Sequence, residues 1–578
     1  MLATRVKRPV TNTVTYPFRV ASVRPPVPQW RCYSSKGSRQ SLKQRPSSSH
    51  WLRKSIGLAG TAGAAFVTYT FATNYSKQAA TPTEPKAKSI NTISIEDLGS
   101  QYVVEKRSLG SPGVYLWGSN AYGVVDPEST EPIVKRPREF SYFEGQLLRD
   151  LKLGEKSGAA ITEKGDLVQW GKGFSETDFK PTKTLTGKGL ASLCMSQDRI
   201  IALASDGSVY SLPISKSEQQ SGRKSRETSW VPFWSGTANI SYRLLKPALK
   251  LGEKVTSLSG GLEHVLLLTN YGRVFSAASS TESFPSRGQL GIPGLTWKTR
   301  PKGPADACHE ITALKNSKIT QVASGDYHSM ALSSDGRIFS FGDNSFGQLG
   351  TGFDAQSSYK DTPTELLLGR LYRSKEWQTT ATLIAAGGLS SFLTVDAKPI
   401  SGASDSSLQN QARITADTWA CGKGITGILG NGRWAHLQDD PTKVKALSGL
   451  VEFDERAKKL TPIRLREISV GTTHASAVLD NASSIKATDT SSDSANSPGL
   501  DAVWWGGNES FQLGTGKKNN LPKPTYINVP SDLAAKDNKP EARLQITPRH
   551  TCKVNGRKVS IEQRVECGKG VSAIYSAL

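Results

Sequence analysis

Apolar and small residues alternate with polar ones in short runs along most of the chain, and the runs come in pairs separated by a glycine turn signal. The clearest pair spans Gly325 to Gly350. Small and apolar residues alternate as far as Ser333, Asp335-Gly336 follows, and the alternation resumes from Ile338 to end at Phe341-Gly342. Period-two alternation predicts a strand with one buried face, and Asp-Gly between two such runs predicts a tight hairpin. Each hairpin is expected to bury its one apolar face against a neighbour of the same kind.

Copies of the first run lie at 154–161, 196–203, 261–268, 325–332, 387–394, 471–478 and 568–575, and copies of the second at 114–120, 167–171, 209–212, 274–277, 338–342, 418–422 and 503–507. The tail of the unit, Gly347-Gln348-Leu349-Gly350, returns at 287–291, 427–430 and 511–514, and the pair near 196–212 is the most degenerate. Such periodicity marks a repeat architecture. The unit resembles the RCC1 repeat, GxxHSxAL followed by DGxVYxWGxNxxGQLG. That resemblance implies an all-β fold, a seven-bladed RCC1-type β-propeller over residues 101–578. The chain enters with a second half at Val114 and leaves with a first half at 568–575, so the two orphan halves make one unit. The ring is therefore expected to be closed by strands from both ends, with Val114 and Ala573 as neighbours, which removes exposed strand edges.

The repeat residues Trp117, Gly118, Gly261, His264, Gly325, His328, Gly336, Gly342, Gly471, His474 and Gly506 are assigned structural roles. The glycines suit turns that need positive φ. The three histidines share one register, which points to a buried imidazole bonded to neighbouring backbone rather than to a metal or a general base. Tryptophans on repeat strands, Trp117, Trp170, Trp419 and Trp504 or Trp505, are expected in the core. Spacing between repeats is uneven because of polar inserts near 215–229, 397–411 and 480–497, whose composition predicts disorder.

Charge is unevenly spread. Of the formal +23, residues 1–54 carry +12 with no acid before Glu84, leaving +11 for the remaining 524 residues. A moderately basic body gives no reason to expect nucleic-acid binding. The leader itself, rich in Arg and Ser and interrupted by Pro25, Pro26 and Pro28, has the composition of a mitochondrial presequence over 1–33, with cleavage expected around Arg31, Tyr33 and Ser34. A basic juxtamembrane segment, 34–54, precedes residues 55–76, which carry no charge and are long enough to cross a hydrocarbon core of about 30 Å as one transmembrane helix. A linker, 77–100, follows. Positive charge is denser before the run than after it, which places the N-terminal side in the matrix and the propeller towards the intermembrane space.

Catalytic and ligand-binding signatures are missing from the sequence. There is no GxxxxGK[ST], GxSxG or HExxH, and the six cysteines are widely spaced with no CxxC, so no enzyme activity, cofactor or metal is expected. The resemblance carries the functional expectation. The founding member of the RCC1 family is a guanine-nucleotide exchange factor for a nuclear GTPase. The domain order here is similar to that of mitochondrial RCC1-like proteins, among them a fungal inner-membrane member associated with assembly of the cytochrome bc1 complex, respiratory complex III. It implies a non-catalytic inner-membrane scaffold whose partners are complex III subunits or assembly factors. The alternatives are an exchange factor for a mitochondrial GTPase and a mitoribosome or RNA-associated platform.

Overall fold

The computed structural model describes residues 112–227, 236–281, 283–352, 356–372, 377–400, 414–454, 458–481, 499–528, 543–554 and 557–578. The expected presequence with Arg31, Tyr33 and Ser34, the segments 34–54, 55–76 and 77–100, and most of the inserts 397–411 and 480–497 lie outside these residues. Among the described residues no helix is long and apolar enough to cross a membrane.

The chain builds an all-β propeller from mostly antiparallel sheets; among the described residues four have four strands, one has five, and a nine-stranded sheet contains the parallel pair Leu148–Ala577. In the sheet containing His328 the strands are Ile319–Ser324, His328–Ser333, Ile338–Asp343 and Tyr359–Leu366, paired in that order from the axis outwards. The two repeat halves form its central hairpin, with His328 opposite Gly342 and Leu332 opposite Ile338. Gly336 turns the hairpin at φ +81°, a conformation that a side chain makes costly. Register slips by one residue early in the innermost strand, between Ile319 and Gln321, and at the same place in five other sheets: after Leu148, Leu190, Val255, Ala381 and Leu465. A bulge of this kind increases local twist, which a propeller blade needs.

The hydrophobic pattern understated burial. Each residue of His264–Thr269, His328–Ser333 and His474–Leu479 is buried. Val265 and Leu267 pack with Ile201 and Leu203 of one neighbouring sheet, while Leu266 and Leu268 pack with Ala331 and Phe341 of the other. Both faces of this hairpin are therefore in the core, not one, because its sheet is stacked between two others.

Both ends of the propeller meet in one sheet. Strand Val114–Ser119 lies between Ile133–Glu139 and the C-terminal strand Val571–Ala577, with Val114 opposite Tyr575 and Leu116 opposite Ala573. Arg557–Cys567 flanks the C-terminal strand on its axial side. Part of the insert at 215–229 is also ordered. Lys216–Ser221 forms a short helix whose Gln219 is buried and donates to Gln169 Oε1 (2.9 Å) and to the Pro213 carbonyl (2.7 Å). Polar composition predicted disorder near 215–229, but a buried amide with its hydrogen bonds satisfied can anchor such a segment, as at Lys216–Ser221.

Candidate binding site around the axial tunnel

The innermost strands surround a cavity of about 840 Å³ on the propeller axis, and the turns that follow them form its mouth. Three of the mouth turns are the Gly-x-x-His step of the repeat, and the turns at 154–157, 196–199, 387–390 and 568–571 have another residue at the histidine position. In these three the glycine amide bonds to the carbonyl three residues on, Gly261 to His264 (2.8 Å), Gly325 to His328 (2.9 Å) and Gly471 to His474 (2.9 Å). Successive turns are also bonded to one another. Gln197 N donates to Leu262 O, Leu262 N to Asp326 O and Asp326 N to Gly388 O, at 2.7–3.0 Å, so a line of backbone bonds crosses four sheets.

Behind the mouth, the histidines complete a second set of links. His264 Nε2 lies 2.8 Å from Ser329 Oγ, His328 Nε2 2.8 Å from Ser391 Oγ, and His474 Nε2 2.7 Å from Ser572 Oγ, each serine belonging to the next sheet. Those serines donate their single protons to the carbonyls of Gln289, Gln348 and Gln512. The imidazoles must then donate from Nε2, and a second proton on Nδ1 would be buried without a hydrogen-bond partner, so the rings stay neutral. Burial holds His264 at about 3, His328 at about 4 and His474 at about 3. His264 and His328 bond to a serine, which in turn bonds to backbone, rather than to backbone directly, while His474 has both its serine and the Val571 backbone beside it. A serine beside a histidine suggests a nucleophile and its base. Here the ring and the hydroxyl are inaccessible, and the hydroxyl proton already points to a carbonyl.

The glycines make room for these rings. A Cβ on Gly325 would come within 2.1 Å of His328 Cε1, and one on Gly261 within 2.4 Å of His264 Cε1. Gly118, Gly342 and Gly506 have φ of +116°, +104° and +107°, and a Cβ on any of them would strike backbone of the adjacent strand. Gly471 would meet the Gly568 carbonyl at 2.3 Å. Tryptophans add a third set of links: Nε1 of Trp117 donates to Gln512 O (2.8 Å) and that of Trp505 to Ile428 O (2.5 Å), each from one sheet to the next, and that of Trp170 donates to Val124 O (2.8 Å).

Sequence reasoning missed the charged wall of the tunnel. Lys152 Nζ lies 2.8 Å from Glu566 Oε2 and 3.8 Å from Asp150 Oδ1, joining strand Leu148–Leu153 to strand Arg557–Cys567. Burial would lower the Lys152 ammonium, but Glu566, Asp150 and Tyr575 hold it well above its ordinary value. Burial pushes Glu566 up to about 7 against the pull of Lys152, and it also raises Glu467. At the mouth, burial pushes Asp326 up to about 6, while Glu155 pairs with Lys569 at 2.7 Å. No spacing in the sequence brings 150, 152, 467 and 566 together; the packing of strands distant in sequence does. Serines 329, 391 and 572 carried a weak signal, the residue after the histidine register, but serine there reads equally well as a small strand residue.

Among the described residues no group of His, Cys, Asp and Glu is arranged to hold a metal. Cys194, Cys308, Cys421 and Cys567 are free thiols, each pushed up to about 12 by burial and so protonated. The arrangement offers a rigid polar mouth and a tunnel, suited to contact with another macromolecule.

Comparison with known proteins agrees with the repeat pattern. The Regulator of chromosome condensation (RCC1) repeat matches residues 319–348 and 335–393. "Protein FMP25, mitochondrial" of Saccharomyces cerevisiae is 27% identical over 489 residues, covering 78% of this chain and 73% of that protein. "RCC1 domain-containing protein RUG3, mitochondrial" of Arabidopsis thaliana is 24% identical over 373 residues, covering 63% of this chain and 71% of that protein. The crystal structure of Prp20p from Saccharomyces cerevisiae superposes with a TM-score of 0.51 at 18% identity, over 81% of this chain and 92% of that one, and shows the shared fold.

Proposed function

We propose, starting from an RCC1-like β-propeller similar to mitochondrial RCC1-domain proteins, that this chain is a non-catalytic platform promoting or regulating assembly of respiratory complex III. In this reading seven blades close into a ring through the pairing of Val114–Ser119 with Val571–Ala577. A presequence directs the protein to the mitochondrion, residues 55–76 anchor it in the inner membrane, and the propeller faces the intermembrane space. The mouth of the tunnel then holds an unassembled subunit or another assembly factor.

The observation that supports a platform is the use of the repeat's polar side chains. Its histidines, serines and tryptophan N–H groups bond one sheet to the next, and the rigid ring they produce leaves loops and the mouth free to choose a partner. Deletion of the gene followed by native electrophoresis of mitochondrial membranes tests the assembly role. Assembled complex III is expected to fall while other complexes persist, and unchanged complex III overturns the reading. Accelerated nucleotide release from a purified mitochondrial GTPase would replace it with an exchange factor, and RNA crosslinks in mitochondria would replace it with an RNA platform. Protease treatment of mitoplasts checks sidedness: a propeller facing the intermembrane space is digested before the inner membrane is opened.

A further inference from the structure

We propose that the turn Lys250 to Glu253 is a docking tip for the surface of an anionic phospholipid bilayer. Leu251 is 99% exposed at its apex, with Leu249 and Tyr271 at 38% and 49% beside it. Single exposed apolar residues are common on protein surfaces. This one stands on a turn that the fold fixes with care. Glu253 N donates to Lys250 O (3.0 Å), Lys250 N donates to Glu253 Oε2 (2.8 Å), and Gly252 takes φ +75°.

The buried Glu253 carboxylate also accepts from Thr269 Oγ1 (2.7 Å) and Arg273 Nη1 (2.6 Å). Tyr271 donates its hydroxyl to Leu251 O (3.1 Å), and Asn270 Nδ2 donates to Gly252 O (3.2 Å). The leucine is thus presented by a braced turn.

Charge around the tip is net positive, with Glu310 also acted on by Lys315 and Lys250. Lys250, Lys254, Lys315 and Lys318 are exposed, and none lies within ion-pair distance of a carboxylate among the described residues. The two local carboxylates, Glu253 and Glu310, are both held by Arg273. Beside Tyr271 a cleft of about 190 Å³ is lined by Arg273, Lys315, Ser317 and Lys318, together with Glu310. These features match the layers of a membrane surface. Leucine enters the acyl boundary, tyrosine lies at headgroup level, and lysines reach the phosphates with their stems along the apolar layer. A convex apolar tip ringed by unpaired lysines complements an anionic, deformable surface.

The test uses the full chain with an environment-sensitive fluorescent amino acid at position 251. The protein is added to vesicles of phosphatidylcholine alone or with roughly one-fifth cardiolipin. Emission is expected to shift to the blue, and to be quenched by brominated acyl chains, in the anionic vesicles only. Lys250→Glu with Lys254→Glu is expected to weaken that response by roughly 30-fold, and about 0.5 M salt to abolish it. Equal emission in the two vesicle types overturns the proposal. So does a photo-crosslinker at 251 that, in mitochondrial membranes, yields protein adducts without lipid adducts. Flotation with neutral vesicles reports the proposed span at 55–76 by itself, so failure of the tip and failure of the anchor are distinguishable.

Discussion

The imidazole of His328 lies where a side chain on Gly325 would have to be, and that exclusion explains why the two residues occur together in the repeat. Gly325→Ala is expected to lower stability by about 1–3 kcal/mol, because both the ring and the Gly388 carbonyl at 2.8 Å resist displacement. Gly369→Ala, with open space around the site, serves as the neutral control in the same thermal or urea unfolding measurement. The histidines also set a pH dependence. Their folded values, about 3 to 4, lie below the ordinary value of 6.5, so the unfolded chain takes up protons first as pH falls. Stability is present above about 6.5 and is lost progressively towards pH 4, by up to a few kcal/mol per histidine. His328→Gln, whose amide can still donate to Ser391, is expected to flatten the slope of unfolding free energy between pH 4 and 6.5.

At the scale of elements, the strands are joined by bonds whose worth can be separated. Trp504 and Trp505 are adjacent, both fully buried, and face different clusters. Only Trp505 Nε1 has a hydrogen-bond partner, the Ile428 carbonyl of the neighbouring sheet. Trp505→Phe should therefore cost about 1 kcal/mol more than Trp504→Phe, the remainder being cavity common to both. The Lys152–Glu566 pair ties strand Leu148–Leu153 to strand Arg557–Cys567. Lys152→Met leaves Glu566 and Asp150 without their cation and is expected to destabilise by about 2 kcal/mol or more, with much of the loss recovered in Lys152→Met combined with Glu566→Gln. A double-mutant cycle in urea measures the difference.

For the whole molecule, the C-terminal strand has partners on both sides, Val114–Ser119 and Arg557–Cys567. Removing residues 571–578 opens both edges. Limited proteolysis is expected to cut near the N-terminal strand in the truncated protein and not in the full chain, and unfolding should become broader as the sheets at the seam uncouple. Intact Val114–Ser119 after truncation would show that this sheet does not depend on the C-terminal strand.

The sequence by itself determined the repeat, the strand type and the positions of the hairpin turns, because period-two alternation and Asp-Gly or Gly-x-x-His steps are local properties of a chain. It also indicated that Val114 and Ala573 should be neighbours, since an orphan half at each end has one natural partner. What it could not reach depends on contacts between sheets far apart in sequence. Ser329, Ser391 and Ser572 became hydrogen-bond partners only when stacking brought each beside the histidine of the preceding sheet. Lys152 and Glu566 are 414 residues apart and meet only across the seam. Burial of both strand faces, the neutral state of the histidines and the order at Lys216–Ser221 follow from desolvation, and desolvation is a property of packed neighbours rather than of any segment.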